Sequence, residues 1–199
     1  MQQSMRGRRR ASPTRMKAFV VTPDINHEWK ARPGYRIMVM DRGAVRFDFP
    51  RDWLAGLDSK YVRMIDREPP DDRCGLMVSS RPISRRMAEL PVHELLREVT
   101  LTDSPDRPVT HRGQIIRFFR PPLEAAWLQM RFMERQRARE ACTRVCLARG
   151  GRTLATIVFD FWPEDETHLH DAWTTLLDTL AVGDYIEDPT TGRRREKRG

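Results

Sequence analysis

An α+β fold, an antiparallel β-sheet with helices packed on it, is what the amino-acid sequence predicts, and three observations predict it. Residues 153–161 alternate strictly and are rich in β-branched and aromatic side chains, which is the period of a strand. Hairpin signals stand at Gly150-Gly151 and at Asp41-Arg42-Gly43, where glycine supplies the positive φ of a tight turn. A well-marked amphipathic helix follows the last strand, over residues 163–180.

In chain order, Tyr35–Met40 and residues 44–49 form the strands of the first hairpin, and Pro50-Arg51-Asp52-Trp53 begins a turn. Residues 61–66 and 74–80 read as two further strands, joined by the polar loop 67–73 with its Pro69-Pro70. Pro91 opens a short helix whose apolar residues are Val92, Leu95, Leu96 and Val99. Residues 102–112 hold two prolines and no period, and so read as a loop. Residues 114–119 suggest another strand. Leu128, Met130 and Phe132 alternate with Gln129 and Arg131. We take this as a strand, although Leu123, Trp127 and Met130 also fit a helical stripe.

Residues 142–149 predict the strand paired with 153–161 across Gly150-Gly151. Both faces of 153–161 are mainly apolar, as suits a central strand covered on both sides. In the helix after it, Pro163 takes the first turn and Glu164, Asp165 and Glu166 bring negative charge to the positive end of the dipole. Leu169, Trp173, Leu176, Leu177 and Leu180 form one apolar face, and Gly183 is placed as the stop. Phe47-Asp48-Phe49-Pro50 echoes Phe159-Asp160-Phe161-Trp162-Pro163. No fixed period extends beyond it, so two strands with an outward Asp between inward Phe residues explain the echo more simply than a duplication.

The pattern over 47–186 resembles the PsbP-like fold, through the Phe-Asp-Phe-Pro-x-x-Trp opening (Phe47 to Trp53), the run of paired strands, and a late strand feeding a Trp-containing helix. The resemblance implies an α/β/α sandwich on an antiparallel sheet. Members of that fold are mostly binding or assembly-assisting proteins, among them photosystem II extrinsic subunits, nuclear-import cofactors and bacterial lipoproteins. It carries over no catalytic set.

The 199 residues suit a single domain, 16–189, between an Arg-rich arm, 1–15, and a basic tail, 190–199, both expected to be disordered. The formal charge is +8, and five arginines in the arm with the net positive tail account for it, leaving 16–189 near neutrality. Arginine outnumbers lysine throughout, so a solvated, solubilising fringe is the ordinary reading of the ends, and docking to nucleic acid or to an acidic surface is the sharper one. Met5 and Met16 are alternative starts to Met1. The apolar run after Arg8-Arg9-Arg10 is only Ala18–Val21, short of the about 7–15 residues of a signal peptide and of the ~20 of a membrane span. A cytoplasmic protein is expected.

Cys142 and Cys146 fall on one face of a strand about 13 Å apart, which suits neither a disulfide nor a shared zinc ion. With Cys74 they are expected as buried, reduced thiols. His168 and His170 diverge on a helix, and His27, His93 and His111 are isolated, so no metal or other cofactor is expected. Arg63, Arg117, Arg131 and Arg144 each fall in a proposed strand and would line one basic face if their registers agree, with Trp127 as a stacking surface. The ordinary alternative pairs these arginines with Asp66, Glu134 or Glu140 and puts the tryptophan in the core. The leading expectation is a non-catalytic protein that binds a protein partner or assists assembly. A nucleic-acid-binding module using the tails and the basic face is the second reading. An enzyme whose residues meet only in three dimensions, such as Asp160, His168 and Arg144, is the third.

Overall fold

The computed structural model describes residues 18–21, 29–58, 61–101, 107–135, 137–188 and 191–194. The strands are β1 (Ala18–Val21), β2 (Tyr35–Met40), β3 (Val45–Pro50), β4 (Leu54–Leu57), β5 (Val62–Ile65), β6 (Cys74–Pro82), β7 (Val109–Arg112), β8 (Ile116–Arg120), β9 (Leu123–Glu134), β10 (Arg139–Gly150), β11 (Thr153–Phe161), β12 (Ala181–Val182), β13 (Ile186–Asp188) and β14 (Arg193–Arg194). The helices are α1 (Arg85–Ala88), α2 (Val92–Leu101) and α3 (Glu166–Thr179), the last entered through a 3-10 turn at Pro163–Asp165.

The main sheet runs β4-β5-β6-β11-β10-β9-β7, with β8 also paired to β9, and every pairing in it is antiparallel. β11 is central, opposite β10 from Thr153↔Gly150 to Phe161↔Cys142. A smaller sheet has the order β1-β2-β3-β12, and β13 pairs β14. One face of the main sheet, through Ala126, Leu128, Met130, Leu147 and Leu154, packs on Val92, Leu95 and Leu96 of α2. The other shares a core with Met38, Phe47 and Phe49 of the small sheet and with Leu169, Trp173 and Leu176 of α3. Strict alternation in β11 drives both layers, because Ala155, Ile157 and Phe159 join the second core while Leu154 joins the first. Trp173 stacks on Phe159 at 5.8 Å, and Trp53 closes on the same ring at 5.9 Å. The fold is therefore the α+β arrangement predicted, an antiparallel sheet with helices packed on it.

The first hairpin turns through Asp41, Arg42 and Gly43, all at positive φ. The two sheets touch at two glycines. A Cβ on Gly150 would collide with the Val182 carbonyl, and one on Gly183 with the Gly150 carbonyl. Gly183 thus serves a close backbone approach rather than the expected helix stop. α3 ends earlier, where Leu180 turns out of helical geometry at ψ 125°.

Other elements differ from the sequence reading for local reasons. β9 spans 12 residues, longer than expected, since its small residues Ala125 and Ala126 carry no strong strand signal yet lie in the cores. Val109–Arg112 is a strand rather than loop, an edge piece whose half-exposed side chains leave no period to read. On α2, Val99 is 59% exposed and Thr100 is buried in its place, its hydroxyl donating to the Leu96 carbonyl. Asp48, expected to point outward, is 5% exposed. It accepts from the Arg32 backbone N–H at 3.0 Å. Burial nonetheless raises its pKa, against the opposing pull of that bond and of the Arg32 and Arg46 charges. The strand β14 carries defined backbone into the segment 190–199 expected as a disordered tail. The arm 1–15 and His27 lie outside the described residues.

Candidate functional site

Alternation along β10 sends Cys142, Arg144 and Cys146 to the face that α3 covers, and places a guanidinium in an apolar layer. Arg144 is 3% exposed. Such a charge is tolerated only when paired and hydrogen-bonded. Its Nε donates to Gln129 Oε1 at 2.8 Å and its Nη2 to Glu166 Oε1 at 3.2 Å. Gln129 Nε2 donates to the same Glu166 oxygen at 2.9 Å, so the three side chains form a closed set. The guanidinium lies 4.9, 5.8 and 5.9 Å from the ring centres of Phe161, Trp173 and Trp127. Desolvation lowers the Arg144 pKa, and the Glu166 carboxylate opposes that shift. Nη1 of Arg144 and Nε1 of Trp173 are buried donors with no partner among the described residues.

These residues form the wall of a cleft of about 700 Å³ between β8 and α3. Ile116 and Phe118 line it from β8, Trp127 from β9, and Trp173 and Leu177 from α3. Arg120 ties its two sides together. That guanidinium donates to the carbonyls of Leu177, Asp178 and Leu180 at 3.3, 2.6 and 2.6 Å, where the helix leaves its last carbonyls without partners.

β8 itself is an edge. It pairs with β9 alone, and no other strand among the described residues lies along its outer side. Ile116 is 48% and Phe119 71% exposed, on opposite faces of the strand. Arg117, between them, has no ion pair among the described residues. The opposite margin, β4, also exposes Leu54 and Leu57, but without a charge among its four residues.

The four arginines do not share a face, which corrects the expected basic surface. Arg144 lies opposite Gln129 and Phe159, and Arg131 opposite Cys142, on the α3 side. Arg63 lies opposite Met77 and Arg117 opposite Ala126, on the α2 side and toward opposite margins. Period-2 alternation fixes a face only once register is known, and register depends on turn lengths that the individual strands do not reveal. Arg131 pairs with Glu140 at 3.4 Å and Arg63 approaches Asp72 at 4.0 Å. Trp127 is half-buried, edge-on to Trp173 at 5.4 Å. Asp160 faces away from Arg144 and pairs with Arg107 at 3.2 Å, so Asp160, His168 and Arg144 do not converge. All three cysteines are free and buried, and burial raises each thiol pKa. Among the described residues no group of three or more His, Cys, Asp or Glu is placed to hold a metal ion, and no helix is long and apolar enough to cross a membrane.

Sequence reasoning missed Gln129, Glu166 and Arg120 as site residues. Glu166 was visible only as a charge suited to a helix start, and its partner lies 22 residues upstream.

Comparison with solved structures places the fold beside cyanobacterial PsbP (CyanoP) from Synechocystis, with TM-score 0.50 and 10% identity over 89% of this chain and 98% of that one. LpqN of Mycobacterium tuberculosis, involved in cell envelope biogenesis, superposes with TM-score 0.50 and 12% identity over 83% and 90%. At such identities the likeness concerns the fold alone. The protein alr1449 of Nostoc sp. is 36% identical over 169 residues, covering 84% of this chain and 87% of its own. The Alr1449 family model matches residues 36–186, from β2 to the first residue of β13 and so across both sheets and the cleft, and the chain belongs to the Alr1449 family.

Proposed function

We propose that this protein is a non-catalytic binding or assembly accessory, working in the cytoplasm expected from its sequence, and that a protein partner docks on it as an added strand along β8. The observation that carries this is the state of that strand: a margin with no further strand on it among the described residues, and Ile116 and Phe119 exposed on its two faces. Strand addition uses backbone hydrogen bonds for affinity and alternate side chains for specificity. Arg117, with no ion pair among the described residues, sets the chemistry of the partner, an extended segment with apolar residues and a carboxylate opposite that guanidinium. Burying a side chain like Phe119 contributes about 1.5–3 kcal/mol, so this position would be an anchor.

The test is co-purification from native cells with the unaltered chain, with Phe119→Asp, and with Leu57→Asp on the opposite margin as control. The partner should be lost with Phe119→Asp, be retained with Leu57→Asp, and cross-link through residues 116–119. Equal capture by both variants refutes docking at β8.

A further inference from the structure

We infer that the cleft between β8 and α3 is a binding site for a small carboxylate with a flat apolar body, held by Arg144. This does not rest on partner docking. The volume, about 700 Å³, lies within the range of small-molecule sites, roughly 300–1,000 Å³, whose walls are mostly apolar with a few convergent polar groups. The walls here have that composition. Ile116, Phe118, Trp127 and Leu177 offer apolar and aromatic surface to a flat body.

The polar side selects the head group. Buried donors in folded proteins nearly always have partners, so an orphan calls for an explanation. Two donors without a partner among the described residues, Arg144 Nη1 and Trp173 Nε1, belong to residues of this wall, and both require an acceptor. Arg120, a second guanidinium, lines the same cleft. The two carboxylates nearby are already engaged: Glu166 accepts from Gln129 and Arg144, and Asp178 is paired with Arg32 at 3.1 Å. The unmet demand is therefore for an acceptor oxygen, and because Asp178 is paired with Arg32, Arg120 has no carboxylate partner among the described residues; a carboxylate supplies both the acceptor and the charge, and a guanidinium meets it in the strongest class of hydrogen bond. The rings around Arg144 then suit the apolar body next to that head group.

The experiment titrates naphthalene-2-carboxylate, and the matching amide, against the full chain while following the indole N–H resonances of Trp127 and Trp173 by NMR. The carboxylate should shift both resonances and bind at least tenfold more tightly than the amide. Arg144→Met should remove that preference. Because loss of Arg144 can disturb folding, a second variant leaves it in place: Thr174→Trp, an exposed position on the α3 rim of the cleft, should abolish binding while Tm is unchanged. Equal affinity for acid and amide, binding that survives Thr174→Trp, or no shift of either indole with the carboxylate overturns the inference.

Discussion

Removing Glu166 and removing Arg144 should have unequal consequences, although the two side chains form one ion pair. The Glu166 side chain is 35% exposed and that of Arg144 only 4%. In Glu166→Ala the guanidinium stays buried with Gln129 as its remaining acceptor, so an uncompensated charge is left behind. Breaking a buried pair in this way costs ~3–5 kcal/mol. The cleft lets water approach, which places the expected loss near the lower end, about 3 kcal/mol. In Arg144→Met the abandoned carboxylate turns to solvent, and the methionine fills an apolar layer between Phe161, Trp127 and Trp173. The expected loss is about 1 kcal/mol, the net worth of the hydrogen bonds given up. The double variant should then resemble Arg144→Met, giving a coupling of about 3 kcal/mol in a double-mutant cycle. Urea unfolding followed by far-ultraviolet circular dichroism measures all three without depending on the tryptophans at the site. A loss below 1 kcal/mol for Glu166→Ala, or a larger loss for Arg144→Met than for Glu166→Ala, would refute the reasoning.

Further outcomes are expected elsewhere in the molecule. Trp173→Ala should cost ~3–5 kcal/mol in urea melts, the cavity cost of a large aromatic at a 3% exposed site. Gly150→Ala should be strongly destabilising, since its Cβ meets backbone at Val182, whereas Gly75→Ala, with nothing within 4 Å, should change Tm little. Asp48 has a native pKa raised by desolvation, so the stability it favours is present at acid pH and is lost as pH rises through that pKa. Asp48→Asn keeps an acceptor for the Arg32 N–H, and should raise Tm by a few degrees at pH 7 with no gain at pH 3. Thiol reagents should label the native protein slowly and the urea-unfolded protein at all three cysteines, because burial holds the thiols protonated. Arg63, Arg117, Arg131 and Arg144 divide between two faces and so form no single basic track. Any single-stranded nucleic acid binding that uses the basic ends should therefore vanish when residues 1–15 and 190–199 are deleted, and gel shifts at rising salt would show it.

The fold was legible wherever a single period governed a segment. Residues 153–161 and the Leu169–Trp173–Leu176 stripe announce a strand and a helix through local repetition alone, and both take those forms. The short strands β7 and β12 were not legible, being made by partners distant in sequence. The site was legible in kind but not in arrangement. Arg144 and Trp127 could be singled out as a cation and a ring within strands, yet their neighbour Glu166 reaches them only because α3 folds back over the sheet. Arg63 and Arg117 were grouped with them for want of register.

The outer margin beside β9 is divided. β7 and β8 both pair with β9, but residues 113–115 interrupt them, where the Gly113 N–H donates to the Gln129 carbonyl at 2.8 Å. At the other end of β8, Pro121 and Pro122 offer no backbone N–H to a neighbour. A visiting strand therefore has five residues to read, about 17 Å at the usual rise of an antiparallel strand. That length fits a short linear motif in a flexible segment better than the side of a folded domain. Edges this short are also one of the ways in which proteins avoid templating one copy of a chain after another.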